Sequence, residues 1–238
     1  MADRLTSEFF TRDGITVAKE LLGKVLVHET PFGTVRGIIT ETESYMGEED
    51  KASHTYGGKR TGRTEPMYHK GGTSYVYLIY GMYSCMNIAA MTEGIPQAAL
   101  LRSVVPADAE SEERMCALRR AGRRKRQDGK EALPSGLKKH LADGPGRLCI
   151  AMHITKADND IDLVESQTFY VTEGILVPPE QIRTGKRIGV AYAEEAAEYL
   201  WRFYIEPGQV LQTQETTDGS CPAVSYSDVS FEKNKKQT

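Results

Sequence analysis

Two carboxylates and a phenol alternate along one short segment, E-T-E-S-Y at residues 41–45. In an extended strand, side chains two residues apart point to the same face, so Glu41, Glu43 and Tyr45 are expected to lie together. The rise of a strand separates the two carboxylates by about 7 Å, which would suit a hydrolytic pair. A solvated sheet edge is the commoner setting for such a pattern, because most carboxylates stay exposed. The residue types alone leave both interpretations open.

Tyrosines crowd a second segment, and a histidine and another tyrosine precede it; these residues are Tyr75, Tyr77, Tyr80, Tyr83, His54 and Tyr56. Such tyrosines usually belong to a core or an interface, with the hydroxyl at the wet end. Flat rings beside basic loops are also what a protein needs to stack extruded or single-stranded bases. Without further signals, base stacking is the less common of the two roles.

The net charge of −3, from 30 Lys plus Arg and 33 Asp plus Glu, hides an uneven distribution. Residues 114–126 hold seven basic residues and no acidic one, which leaves the rest of the chain near −10. A second basic cluster consists of Lys59, Arg60, Arg63, His69 and Lys70. A solvated helix face or loop would explain either cluster alone. Two clusters in a mildly acidic protein favour an anionic partner.

The elements that must position these side chains are mostly strands in the first half of the chain. Residues 23–29 and 34–43 flank a turn and predict one hairpin, residues 73–80 and 82–90 predict another, and residues 98–105 predict a further strand. Helices are predicted at 111–121 with Ser111 as N-cap, at about 145–154 with Pro145 near the first position, and at 193–200.

These elements predict the α+β class, with a single domain in which helices flank a curved, mainly antiparallel sheet. We place that domain at residues 1–211 and expect the polar stretch 212–238 to be a disordered tail. At 238 residues, with 39% hydrophobic and 26% charged side chains, the chain is typical of globular proteins. This composition excludes a collagen-like, coiled-coil or wholly disordered protein.

Several kinds of site and partner are not expected. No apolar run approaches the roughly 18 residues of a membrane span, so no membrane partner is predicted, and no signal peptide pattern is visible. The four cysteines, Cys85, Cys116, Cys149 and Cys221, are scattered without a C-x-x-C pair. We therefore predict structural thiols, no metal site and no cofactor.

A series of short motifs runs in order along the chain. They are L-x-x-E-F-F at 5–10, L-L-G-K-V-L-V at 21–27, I-x-E-T-E-x-Y at 39–45, A-S-H at 52–54, Y-V-Y-x-I-Y-G-M-Y at 75–83, C-M-N at 85–87, L-L-R at 100–102, G-P-G-R-L-C at 144–149, R-I-G-V at 187–190 and W-R-F-Y at 201–204. No motif decides alone. Together and in this order, they resemble the alkyladenine (3-methyladenine) DNA glycosylases of the mammalian and bacterial type.

The resemblance implies a base-excision-repair enzyme. Such an enzyme flips alkylated or deaminated purines (3-methyladenine, 7-methylguanine, hypoxanthine, ethenoadenine) out of duplex DNA. It then hydrolyses the N-glycosidic bond with a glutamate-activated water and leaves an abasic site. The implied partner is double-stranded DNA with damaged purines, bound by a monomer without a cofactor. The implied location is the cytoplasm or nucleoid of a bacterium, or the nucleus of a eukaryote.

The resemblance also implies roles for individual residues. Glu43 would activate the water, and Arg102 would support the water and a nearby phosphate. The base pocket would consist of Tyr45, His54, Tyr77, Asn87 and Val190, with Asn87 disfavouring normal guanine. Tyr80 would wedge into the duplex beside Met82. The DNA backbone would be contacted by Lys59, Arg60, Arg63 and Arg119.

One loop departs from the family pattern, because Thr64 replaces an asparagine and Glu65 interrupts the basic cluster. This puts the DNA contacts of that loop in question. Lys51, Lys59 and Lys70 remain open as alternative nucleophiles. The main alternative function is a non-catalytic protein that binds damaged or single-stranded nucleic acid and does not need Glu43. A weaker alternative is an RNA-directed or nucleoside hydrolase that uses the same carboxylate.

Overall fold

A computed structural model of the protein describes residues 3–79, 81–121 and 140–206. Its strands are β1 (Val25–Thr30), β2 (Gly33–Tyr45), β3 (Ser74–Ile79), β4 (Tyr83–Ala90), β5 (Gln97–Pro106), β6 (Phe169–Thr172), β7 (Arg183–Gly185) and β8 (Arg202–Tyr204). Its α-helices are α1 (Ser7–Phe10), α2 (Gly14–Glu20), α3 (Glu65–Tyr68), α4 (Ala109–Ala121) and α5 (Pro145–Ala151). Short 3₁₀ turns occupy Gly47–Glu49, Tyr56–Gly58, Lys156–Asp158, Pro179–Gln181 and Ala191–Glu198.

The sheet is built around β2, its longest strand. The strand order is β3-β4-β5-β2-β1-β6, and all of the pairs are antiparallel. One edge of β2 pairs with β1 along its first half and with β8 near its end, while β5 follows the other edge. The described sheet curls into a half-barrel. The predicted α+β class with a curved antiparallel sheet and flanking helices is confirmed.

The ladder between β2 and β5 is interrupted next to Glu41. The paired residues jump from Ile39–Val104 to Glu41–Ser103 and then to Thr42–Leu101, so Thr40 and Arg102 are passed over. Extra residues of this kind bend a strand and re-aim its side chains, often next to active sites. The bulge therefore lies next to the candidate carboxylates Glu41 and Glu43.

The main apolar core covers one face of the sheet. Helices α2, α4 and α5 contribute to it, and so do Met86, Ile88 and Leu101 from the strands. The intervening Asn87 and Leu100 are buried but do not belong to this core. Because side chains alternate along a strand, Asn87 and Leu100 face the opposite side of the sheet. That opposite side carries the candidate site.

Two predicted helices need correction. The fourth helix begins at Ala109 rather than at Ser111, and the Ser111 N–H donates to Oδ1 of Asp108 at 2.6 Å. Ser111 is no N-cap, because its hydroxyl instead accepts the Arg36 N–H at 3.0 Å. Residues 193–200 do not form an α-helix; the 3₁₀ turn Ala191–Glu198 is broken at Glu194, whose φ of 50° no continuous helix can contain.

The other expected elements are confirmed, including both hairpins and Pro145 in the first turn of α5. Tyr80, residues 122–126 of the basic run and the predicted tail 212–238 lie outside the described residues. The domain boundary at residue 211 stays a prediction. Within the described ranges, every helix is too short or too polar to cross a membrane.

Candidate active site

A line of directly paired residues crosses five strands on the pocket side of the sheet. Tyr75 pairs with Asn87, Asn87 with Leu100, Leu100 with Glu43, and Glu43 with Arg202. Since neighbouring strands lie about 4.8 Å apart, the backbones of Asn87 and Glu43 are about 10 Å apart, with Leu100 between them. The strand register therefore brings an amide from one hairpin onto the same face as a carboxylate from another.

Glu43 is held on three sides and has no solvent-exposed side-chain surface. Its Oε1 accepts the backbone N–H of Ile188 at 2.8 Å and lies 3.3 Å from Nη1 of Arg102. Its Oε2 accepts the hydroxyl of Tyr45 at 3.0 Å. Among the described residues, Oε2 thus has one donor and retains room for another.

The pKa of Glu43 is raised above that of an ordinary glutamate, because burial disfavours the charged form. The positive charge of Arg102 and the hydrogen bonds from Ile188 and Tyr45 lower the pKa and so limit the rise. Burial also raises the pKa of Tyr45 well above its usual value. Tyr45 therefore keeps its proton and donates a hydrogen bond to Glu43. The arrangement makes Glu43 a stronger base than an exposed carboxylate.

Arg102 connects the two carboxylates of the E-T-E motif. Its Nε donates to Oε1 of Glu41 at 3.1 Å, while its Nη1 faces Glu43. Glu41 also accepts from Nη1 of Arg202 at 3.0 Å. The expectation that Glu41 and Glu43 share a face is confirmed. Because two guanidiniums neutralise Glu41, it serves as an anchor for Arg102 rather than as a second acid.

His54 and two tyrosines form an aromatic wall next to Asn87. Nδ1 of His54 lies 2.9 Å from the hydroxyl of Tyr75, and the His54 ring meets the edge of Tyr77 at a centroid distance of 4.7 Å. Burial, and then the charge of Arg63, lower the pKa of His54 to about 4. Asn87 donates from Nδ2 to the Tyr75 carbonyl at 3.1 Å. At neutral pH this wall is therefore uncharged.

The predicted pocket residues come together in one place, and two other predicted residues do not join them. Val190 and Tyr45 share an apolar cluster with Ala52, close to His54 in the chain. Met82 lies in the β3–β4 turn, is 69% exposed and lines an open groove of about 600 Å³ beside α4 and α5. Arg119 lies in the last turn of α4, a helix that packs into the main core.

The basic loop 59–65 is organised by the residues that depart from the family pattern. The buried Thr64 hydroxyl accepts the Thr61 N–H at 2.9 Å and donates to the Lys59 carbonyl at 3.1 Å. Glu65 opens α3 and receives two bonds from Arg60, from Nε at 3.0 Å and from Nη2 at 2.6 Å. Arg63 lies over the Tyr77 ring at 5.0 Å. Thr64 therefore holds the backbone of the loop in place, and Glu65 binds the side chain of Arg60.

The sequence did not predict several residues that contribute to the site. Leu100 forms the floor between Asn87 and Glu43, and the N–H donor of Ile188 is a backbone group without a side-chain signature. Arg187 pairs with Asp50 next to the ring of Tyr45. In the sequence, Leu100 belongs to the L-L-R motif, and Arg187 and Ile188 belong to the R-I-G-V motif. Asp50 lies in a polar loop. Among the described residues, no three His, Cys, Asp or Glu side chains converge as they would around a metal ion.

Comparison with known proteins assigns this arrangement to a family. The sequence model of methylpurine-DNA glycosylase (MPG) matches residues 8–209. The chain belongs to the methylpurine-DNA glycosylase family. The sequence-based resemblance is therefore confirmed, and the protein is a DNA repair enzyme of the DNA glycosylase type whose substrate is DNA.

Curated relatives cover nearly the same region. A Clostridium perfringens (strain 13) protein provisionally assigned as a 3-methyladenine DNA glycosylase is 46% identical over 209 residues, which are 87% of this chain and 98% of the relative. A Desulfitobacterium hafniense protein with the same provisional assignment is 44% identical over 211 residues, 89% of this chain and 99% of its own length. The residues 8–209 that match the family model include all of the candidate site residues described above.

Replacing Glu65 with alanine should release Arg60 for DNA phosphates. We expect tighter binding to duplex DNA at low salt and a salt dependence steeper by about one released counterion. Binding measured by fluorescence anisotropy across a salt series tests this. Glu180→Ala removes an equal charge from an exposed turn and is the control. An unchanged slope in Glu65→Ala would mean that Arg60 does not reach phosphate.

Replacing Glu43 with glutamine should raise the Tm at neutral pH by a few degrees, because the variant no longer buries a charge. The folded-state pKa of Glu43 is raised, so ionisation of this group destabilises the folded protein as the pH rises through that pKa. The advantage of the variant should therefore shrink on acidification. Thermal unfolding at several pH values measures this, with Glu180→Gln as control. An equal or lower Tm at neutral pH would contradict it.

Proposed function

We propose that the protein removes alkylated or deaminated purines from duplex DNA by hydrolysing their N-glycosidic bond with a water that Glu43 activates. The observation that carries the proposal is a solvent-inaccessible carboxylate, bonded by Ile188 and Tyr45, on the same sheet face as Asn87. A wall of aromatic rings adjoins it. No part of this arrangement requires a metal ion or a cofactor.

Glu43 acts as the general base in this mechanism. Its Oε2 accepts one hydrogen bond, from Tyr45, and a water placed there donates its proton to the free lone pair. A positioned base of this kind contributes about 10²–10⁴-fold to the rate. The sugar carbon becomes positive as the bond to the base breaks, and the nearby carboxylate stabilises it. Arg102 keeps the carboxylate oriented while Glu41 holds Arg102.

The aromatic wall binds the extruded base. Extrusion from the duplex costs a few kcal/mol, and less for a lesion that pairs or stacks poorly. Stacking on aromatic rings returns about 1–3 kcal/mol per base. A purine alkylated at a ring nitrogen, such as 3-methyladenine or 7-methylguanine, carries positive charge in DNA, so the electron-rich faces of Tyr45 and Tyr77 hold it better than a neutral base. The same charge makes the base a good leaving group.

The hydrogen bonds of His54 favour bases that present an acceptor. The hydroxyl of Tyr75 lies 2.9 Å from Nδ1 of His54, and either group can be the donor. In this proposal the hydroxyl donates to Nδ1, so neutral His54 carries its proton on Nε2. A donor at Nε2 suits an oxygen or ring nitrogen, as in hypoxanthine or ethenoadenine. Asn87 disfavours normal guanine.

The surroundings of two nearby lysines support water as the nucleophile. Lys51 donates to Glu194 at 2.5 Å and to Glu195 at 2.9 Å, and these bonds raise its pKa. The pKa of Lys70 is raised by its bond to Asp162 at 2.6 Å. A lysine must lose its proton before it can attack the sugar carbon. Neither amine is poised for that step.

Basic side chains around the site would contact the DNA backbone. Lys59, Arg63 and Arg119, with Arg60 once it leaves Glu65, would contact phosphates on either side of the lesion. The exposed side chain of Met82 would insert between bases, next to Tyr80, which is the proposed wedge residue. We expect the enzyme to act as a monomer.

Incubating the protein with duplex DNA that holds one hypoxanthine or ethenoadenine tests the proposal. Wild type should release the base, and Glu43→Gln should lose at least about 10²-fold in single-turnover rate while keeping lesion binding. Gel analysis after alkaline cleavage measures the abasic product, and borohydride should trap no covalent complex.

Each contrary result has a definite meaning. Undiminished release by Glu43→Gln would reject Glu43 as the base. Binding to lesions without release by either protein would favour the non-catalytic binding protein. A borohydride-trapped adduct would show that a lysine, and not water, attacks the sugar carbon. Glu180→Gln, an exposed glutamate, is the matched control and should act as wild type.

The rate of base release should fall as the pH drops, because the reaction needs ionised Glu43. Its pKa is raised by burial, so the loss should set in at a higher pH than for an exposed glutamate. His54 should not add a second step near neutral pH, since its pKa is about 4. Single-turnover rates on ethenoadenine DNA across the pH range test both statements. A half-loss at the pKa of an exposed glutamate would contradict the first.

A further inference from the structure

Arg187 and Asp50 form an ion pair next to the pocket, and neither side chain has exposed surface. Two parallel bonds join them, from Nη1 to Oδ2 at 2.5 Å and from Nη2 to Oδ1 at 2.8 Å. Such bidentate pairs are strong and directional. A buried pair nevertheless adds little net stability compared with apolar residues of the same volume, because both charges lose their hydration. The pair therefore points to a requirement other than stability.

The guanidinium of Arg187 joins separate parts of the pocket. Nη1 also donates to the Ser44 carbonyl in β2 at 2.9 Å, and Nη2 donates to the Ala196 carbonyl in the 3₁₀ turn at 3.0 Å. Its Cζ lies 4.8 Å from the ring centroid of Tyr45 and 5.0 Å from that of Trp201. Arg187 thus holds the end of β2, the ring of Tyr45 and the segment after β7 in one arrangement.

Asp50 extends this arrangement to the loop that leads to His54. Its Oδ2 accepts the N–H of Met46 at 3.1 Å, and its Oδ1 accepts the N–H of Ala52 at 3.0 Å. Each carboxylate oxygen therefore has one backbone donor and one guanidinium donor. The loop between β2 and His54 is fixed to the same point as the segment after β7.

We propose that Arg187 and Asp50 are a positioning pair that sets the Ile188 N–H against Glu43 and the Tyr45 ring against the base. Ile188 directly follows Arg187, and its N–H lies 2.8 Å from Oε1 of Glu43. A displacement of the Arg187 side chain would move this donor. The proposal rests on the role of Glu43 given above and adds the device that orients it.

The pair acts on the acidity of Glu43 through that N–H. The titratable and charged groups that face Glu43 are Arg102 from β5, Cys85 from β4, and Tyr45 and Glu41 from its own strand, with Arg202 from β8 bound to Glu41. Among the described residues, Arg187 contacts one of these groups, the ring of Tyr45, and forms a hydrogen bond with none of them. The Ile188 N–H lowers the pKa of Glu43. Its loss would raise that pKa further.

Arg187→Lys tests the proposal, because lysine keeps the charge but cannot form the two parallel bonds. We expect the half-loss of single-turnover base release to move to higher pH, with a rate about tenfold below wild type on the acidic side. The rate should recover towards wild type at alkaline pH. A merely structural defect would lower the rate equally at every pH. Arg183→Lys, at an exposed arginine in β7, is the matched control.

Two further changes keep the test decisive if Arg187→Lys does not fold. Asp50→Asn preserves the shape of the side chain and weakens the pair, so it should shift the profile in the same direction. Ile188→Pro removes the N–H and leaves the pair intact, so it should reproduce the shift. Comparison with Ile188→Ala, which retains the N–H, separates the loss of this donor from the loss of the side chain.

Carboxyl ¹³C NMR of Glu43, assigned with Glu43→Gln, follows its titration without any need for activity. If wild type released no base, the proposed function would fail, yet the titration would still report on the pair. A wild-type Glu43 titration in a folded Arg187→Lys or Asp50→Asn variant would overturn the positioning role. So would a shift in these variants that Ile188→Pro does not reproduce.

Discussion

The burial of one negative charge is the constraint on which the rest of the structure depends. Glu43 has no exposed side-chain surface, and an ionised carboxylate without partners would not remain charged in such a place. Arg102, the Ile188 N–H and the Tyr45 hydroxyl supply the partners. Each comes from a different direction, so the fold must bring β5 and the segment after β7 to the end of β2. Burial raises the pKa of Glu43 and these partners limit the rise, so the carboxylate is more basic than an exposed glutamate. The same partners fix its orientation.

The strand register and the bulge of the sheet bring these groups together around Glu43. Pairing across β4, β5 and β2 aligns Asn87, Leu100 and Glu43, and the bulge lets Arg102 reach both glutamates of the motif. Most of the helical packing lies on the other face, where the apolar core supports the strands. A rigid core on one face and a polar, aromatic face on the other is a sound way to hold catalytic groups in place.

Charge is distributed to match an anionic substrate without filling the pocket with cations. The pocket wall is neutral because burial keeps His54 unprotonated, and Arg102 is balanced by Glu41 and Glu43. The basic groups lie at the rim, where Arg63 covers Tyr77 and Arg60 is held by Glu65. A net charge of −3 is therefore compatible with DNA binding. What matters for phosphate is the local field, which the average conceals.

The sequence by itself determined strands β1 to β5, the two hairpins and the shared face of Glu41, Glu43 and Tyr45, because a period of two residues is a local property of an extended chain. Its ordered motifs also indicated the family. Local patterns failed at Ser111, whose hydroxyl bonds to Arg36 in another element, and at Glu194, whose positive φ breaks the predicted helix. Only the tertiary structure decided that Glu41 is neutralised, that Ile188 donates to Glu43 and that Arg187 pairs with Asp50. These contacts join residues up to 145 positions apart, so their geometry follows from strand register and packing, which no local pattern encodes.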